Sequence, residues 1–148
     1  MQNHELSPDQ IRDLRALAGM IIPASTVYDV PGADDDKILN DILRSLERDR
    51  DDIARALAHL AAIGGCAFAD LESEHRTEVA AVFREVGGAS LAALVRVVLL
   101  CYYRDDRVMR SLGQEVRPPF PKGHVVEQGD WSLLDPVRAR KPMYRTVD

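Results

Sequence analysis

The sequence changes character at Gly113. Before that residue, apolar side chains recur at three- and four-residue spacing. From Gln114 to Asp148 they do not, and no alternating strand pattern takes over. This last stretch holds five of the eight prolines, the single tryptophan, Phe120 and Tyr144. Proline fixes φ and removes an amide donor, so helix interiors and central strands are closed to such a segment. Disordered segments are poor in aromatics because they cannot bury them, so Phe120, Trp131 and Tyr144 call for somewhere to dock. Fully extended, the stretch would reach roughly 110 Å at about 3.3 Å per residue, more than a small helical domain needs. It reads as an arm laid across another protein.

Helix signals fill the rest. Ser7, Pro8 and Gln10 make a start signal of N-cap, N1 proline and capping box, and Ile11, Leu14, Leu17, Ala18 and Ile21 mark one face after it. Pro23 ends that helix, and a loop with its turn at Pro31-Gly32 follows. Asp34, Asp35 and Asp36 open a second helix where its dipole favours carboxylates. Its apolar stripe is Ile38, Leu39, Ile42, Leu43 and Leu46. The run Arg48 to Asp52 is either a solvated break or a charged turn of one longer helix. Ile53, Leu57, Leu60 and Ala61 resume the period, and Gly64-Gly65 stops it. A fourth helix runs from about Ser73 to Val86, with Val79, Val82, Phe83 and Val86 inside. Ser90 caps a fifth, Leu91 to about Arg104, which is apolar nearly all round and therefore reads as the central, buried helix. A short sixth covers Asp106 to Leu112. The expected fold is all-α: a bundle of five to six helices over 1–113, then an extended proline-rich arm over 114–148.

Composition narrows the function classes. The 148 residues suffice for one domain with a core. A net charge of −5 argues against nucleic acid, whose affinity rests on neutralising phosphates. Lys37, Lys122 and Lys141 are the only lysines among 19 basic residues. Arginine is favoured at protein interfaces, although a genome rich in arginine codons explains the bias equally well. The most apolar run, Ala89 to Cys101, is too short to span a bilayer, so no membrane insertion is expected. Met1 to Glu5 offer no basic or apolar signal region, so no secretory signal is expected. Cys66 and Cys101 are expected as buried free thiols, with a disulfide left open.

Catalytic patterns are weak. Glu72 and His75 form half of a di-iron carboxylate motif, but such sites need a second Glu-x-x-His and two further buried glutamates; the apolar stripes contain none. Glu72 and Glu74 read as first-turn dipole partners and His75 as a surface residue. His59 reads as a partly buried structural histidine rather than a proton carrier. His124 has no Ser or Cys beside it to form a nucleophile pair, and His4 is terminal. No glycine-rich phosphate loop or dinucleotide-binding unit occurs. Catalytic, cofactor-binding and metal-ligating residues are therefore all expected to be absent from this chain. Two constellations remain. Tyr102 and Tyr103 end the fifth helix, either closing the core or meeting a partner. Trp131, Leu133 and Leu134, bounded by Asp130 and Asp135, are of the kind found as interface anchors, with folding back onto the chain's own bundle as the alternative.

Three segments in order carry a family resemblance: Ile21-Ile22-Pro23-Ala24 with Val30-Pro31-Gly32-Ala33-Asp34; Tyr102-Tyr103-Arg104-Asp105 leading to Leu112-Gly113; and Arg117-Pro118-Pro119-Phe120-Pro121-Lys122-Gly123. Together they resemble the small subunit (subunit 3) of gluconate 2-dehydrogenase and its relatives. The resemblance implies a non-catalytic accessory subunit that binds and stabilises the FAD-containing catalytic subunit of a glucose–methanol–choline-type dehydrogenase acting on sugars, sugar acids, glycosides or alcohols. FAD would belong to the partner, and a cytochrome c subunit joins some such complexes. The partner-binding residues expected on this basis are Tyr102, Tyr103, Pro118, Pro119, Phe120, Pro121, Trp131, Leu133, Leu134 and Tyr144. Family members often carry a twin-arginine signal and this sequence shows none. The expected compartment is the cytoplasm, or the periplasm if the partner supplies the signal. The alternatives are a stand-alone helical interaction module and a metal-dependent bundle enzyme using Glu72, His75 or His59.

Overall fold

A computed structural model of the chain describes residues 5–118, 120–123 and 125–141. The fold is all-α. The chain divides into two compact units, Met1–Val116 and Arg117–Asp148.

The first unit holds six α-helices: α1 Pro8–Ile21, α2 Asp36–Arg44, α3 Arg50–Gly64, α4 Ser73–Val86, α5 Gly88–Tyr103 and α6 Asp106–Ser111. The capping box at the start of α1 is complete. The Ser7 amide donates to Gln10 Oε1 at 2.9 Å, and Ser7 Oγ accepts from the Gln10 amide at 3.2 Å. Such a cap contributes about 1 kcal/mol. The charged run after α2 is a true break: a 3-10 turn at Glu47–Asp49 separates it from α3. α3 ends on Gly65 in the left-handed conformation, φ 72°, which glycine adopts without a steric penalty.

α3 packs against α1, α4 and α5, and α5 also meets α2, α4 and α6. Leu14, Ile42, Leu57, Leu60, Phe68, Phe83, Leu94 and Val98 form the middle of the core and are fully buried. A second 3-10 turn, Phe68–Asp70, is held from both sides. Buried Asp13 accepts from the Ala69 amide at 2.8 Å, and Arg76 Nη2 donates to the carbonyls of Ala69 and Leu71 at 2.7 and 2.8 Å. Those bonds satisfy backbone groups that would otherwise be stranded near the core.

Several expectations need correction. α5 starts at Gly88, so Ser90 lies inside it and does not cap it. The corner is made by Gly87 and Gly88, where α4 and α5 meet at 113°. A Cβ on Gly87 would lie 2.6 Å from Leu91 Cβ and 2.8 Å from the Phe83 carbonyl oxygen, so only glycine fits. Val82 and Val86 are exposed rather than inside, because α4 turns Val79 and Phe83 inward and leaves its flank uncovered. Cys66 is exposed just past the end of α3, while Cys101 is buried; both are free thiols. His59 is exposed, with its ring edge-on to Phe83 at 5.8 Å.

In the second unit, one stretch is helical where an extended arm was expected. Trp131–Leu134 forms a 3-10 turn that runs into α7, Asp135–Arg138. Asp130 Oδ1 accepts from the Ser132 amide and hydroxyl at 3.0 and 2.6 Å, and Pro136 sits in the first turn of α7. Asp-x-Ser followed by Asp-Pro thus supplies two successive helix starts. Before it, Arg117 Nη2 donates to the Gly123 carbonyl at 2.7 Å, closing a proline-bearing turn.

Candidate partner-binding surface

α5 carries two apolar faces. The inner one, Leu94, Val97, Val98 and Cys101, is buried against α2 and α3. The outer one is formed by Ala92, Val95, Leu99 and Leu100, ending at Tyr103. Here Leu99 is 37% exposed, Leu100 60% and Tyr103 54%. This outer face lines an open groove of about 960 Å³ that continues over Gly88 and Leu91 to Arg84 and Glu85 at the end of α4. A second groove of about 350 Å³ adjoins it through Leu91 and Val95 and reaches Leu17, Met20 and Ile21 of α1. The two grooves join through apolar side chains, and this continuity makes the face the candidate interaction surface. An apolar character nearly all round predicts α5 as the central helix; the helices described in the first unit do not surround it.

Below the C-terminal end of α5 lies a cluster of charges. Asp35 caps α2 by accepting from the amides of Lys37 and Ile38 at 3.0 and 3.4 Å. Asp105 caps α6 through the Arg107 amide at 2.9 Å. The Arg107 guanidinium ties these two caps together, 2.7 Å from Asp35 Oδ1 and 2.9 Å from Asp105 Oδ1. Lys37 Nζ stands 3.4 Å from Asp105 Oδ2. The Arg107 hydrogen bonds hold the Asp105 carboxyl down at about 2, against the penalty of its burial, and lower Asp35 as well. Arg107 is correspondingly raised. Two carboxylates and two cations form a closed set of balanced formal charge. Its chemistry is that of a structural tie between helix starts. It also brings together the segment after Pro31-Gly32 and the segment after Tyr102-Tyr103, which are far apart in sequence.

The residues singled out beforehand fall as follows. Tyr102 is buried, with its hydroxyl pKa raised mainly by desolvation, and it meets Tyr103 edge-on at 5.2 Å. The two tyrosines thus divide the roles: one closes the core and the other faces solvent. In the second unit Pro118, Phe120, Pro121, Trp131, Leu133 and Leu134 are exposed, Trp131 by 62%. Pro119 and Tyr144, like His4 and His124, lie outside the described residues. Trp131 Nε1 donates to Gln128 Oε1 at 3.3 Å, which leaves the ring itself outward. Glu72 and His75 are exposed, and His75 Nδ1 is 3.3 Å from Glu78 Oε2. Among the described residues no three His, Cys, Asp or Glu side chains are grouped to hold a metal, and no single helix is long and apolar enough to cross a membrane.

Ala92, Val95, Leu99 and Leu100 are the surface residues that sequence reasoning missed. Their signal was present as a helix with no polar face, but an all-apolar helix fits full burial and partner contact alike.

No protein-family model, curated protein or solved structure matches this chain. The class defined by the fold and surface is an α-helical protein with an uncovered apolar helix face.

Proposed function

We propose that this chain is a non-catalytic accessory subunit that binds and stabilises a flavoprotein dehydrogenase, as the resemblance to subunit 3 of gluconate 2-dehydrogenase implies. One observation carries the reading: α5 is apolar on two faces and the first unit covers only one of them. A solvent-exposed seam of Val, Leu and Tyr costs solubility, and association offsets that cost at about 25 cal/mol per Å² of apolar area buried. The exposed Phe120, Trp131, Leu133 and Leu134 of the second unit add rigid anchors of the type that dominates interface energetics. Obligate interfaces of this kind bury more than about 2,000 Å². Ordering of the C-terminal segment on the partner costs roughly 2–5 kcal/mol of the gross interaction energy. FAD and the chemistry belong to the partner, and a cytochrome c subunit is an optional third component.

The test is purification of the tagged chain from its native cell under mild conditions, with a flavin spectrum and peptide identification of what accompanies it. A flavoprotein dehydrogenase at a fixed ratio to the chain supports the reading. Its consistent absence, with the chain stable and soluble alone, refutes it.

A further inference from the structure

The outer face of α5 has three properties that together specify what sits on it. The first is shape. Gly88, Ala92, Val95, Leu99 and Tyr103 follow at spacings of four, three, four and four, a straight seam along a helix about 24 Å long. Side chains are small at its start and large at its end, so a second backbone can approach closely over Gly88 and Ala92. The second is openness: the first unit leaves the groove uncovered along the helix. A small ligand would leave most of its surface in water there, unlike ligands in ordinary pockets. A helix, about 10–12 Å across with its side chains, lies naturally in such a trough.

The third property is charge. Arg96 and Arg104 stand along one edge of the seam. Each is tied back to the bundle, Arg96 to Asp49 at 2.7 Å and Arg104 to Asp41 at 2.5 Å, with Ser45 also bonded to Arg104. The pairs are lopsided. Asp49 is 16% exposed while its partner Arg96 is 48% exposed, and Arg104 is likewise more open than Asp41. Solvent therefore meets more guanidinium than carboxylate along this edge, most clearly at Arg96. A guanidinium offers five donors, enough for a second carboxylate beside the one that holds it. On the other edge Arg84 and Glu85 offset each other at 3.5 Å.

We propose that this seam seats an apolar α-helix of the flavoprotein subunit, carrying carboxylates on the side that faces Arg96 and Arg104. The proposal rests on the accessory-subunit reading and adds where on the bundle the partner docks and by what chemistry. The recognition is helix-in-groove, with apolar anchors at helical spacing giving the affinity. The arginine edge sets direction and register, since electrostatic complementarity chiefly governs specificity and association rate.

The experiment uses the complex of this chain with the flavoprotein that co-purifies with it, read by bound-flavin absorbance and by titration of the separated subunits. Leu99→Asp is expected to weaken binding about 100-fold or more. Arg96→Gln with Arg104→Gln, which retain hydrogen-bonding capacity toward Asp49 and Asp41, should weaken it about tenfold and flatten its salt dependence. Circular dichroism of each free variant establishes that it is folded; Leu100→Asp, at a more exposed position, replaces Leu99→Asp if that variant is not. Unchanged binding by folded Leu99→Asp or Leu100→Asp overturns the seam proposal and leaves the accessory reading standing. If no flavoprotein accompanies the wild-type chain, both fall. A dimer of the chain alone that Leu99→Asp splits also overturns it, since the occupant is then a second copy.

Discussion

The two faces of α5 share a helix, a set of neighbours in sequence and nearly the same residue types, yet they have opposite fates. Leu94 and Val98 are sealed from solvent, while Leu99 and Leu100, one and two residues beyond Val98, stand open. At 100° per residue that difference is a rotation, and hydropathy does not contain it. What decides burial is how many helices the chain supplies. The first unit packs α2, α3, α4 and α6 against α5 without enclosing it, and its outer seam remains for something else. Apolar content fixes how much surface must be covered without fixing who covers it.

The comparison can be broken most decisively at Leu94. Leu94→Ala should lower unfolding free energy by about 3 kcal/mol, within the range for large-to-small changes in tight cores, measured by urea denaturation. A loss below about 1 kcal/mol would mean the inner face is not the packed one. Acid probes the tie at the C-terminal end of the same helix. Asp105 is held at about 2, below its ordinary value near 4. Its ionised form thus contributes about 2 kcal/mol of stability, present above pH 4 and lost as pH falls from about 4 toward 2. Arg107→Met should remove most of that acid-dependent step in a pH series of thermal melts. At the α4–α5 corner, Gly87→Ala forces Leu91 and the Phe83 carbonyl apart and should cost about 1–2 kcal/mol. The smallest effect sharpens the contrast: Leu100→Asp should leave the stability of the free chain within about 0.5 kcal/mol of wild type, although the mutation puts a charge on a helix of nearly pure hydrocarbon.

Local signals in the sequence matched local structure well. Ser7, Pro8 and Gln10 start α1 and Gly65 ends α3, while the charged run after Leu46, compatible with a break or with a turn of one longer helix, is a break. Each of these acts within a few residues, so the local order of residues reveals it. The errors share the opposite property. Val82 and Val86 carry helical spacing yet face solvent, because the inner side of α4 is chosen by what Phe83 packs on. Ser90 looked like a cap and is not one, since Gly87 and Gly88 turn the chain before it. Cys66 sat in apolar sequence and still emerged on the surface. The Arg107 tie was invisible because one of its carboxylates, Asp35, is 72 residues away. Tyr103 was singled out beforehand, but Val95 and Leu99 were not, for the reason that opened this comparison.

The placement of the two thiols gives the molecule a built-in reporter. Cys66 stands in solvent at the end of α3, whereas Cys101 is buried on the inner face of α5 with its pKa raised by desolvation. A thiolate-seeking reagent should consume one sulfhydryl per chain at once. The second should react only when α5 lifts from the helices it packs on, so the slow phase of such a titration times that opening. Anything that clamps α5 from outside will lengthen the wait, and the delay can be followed with no label added.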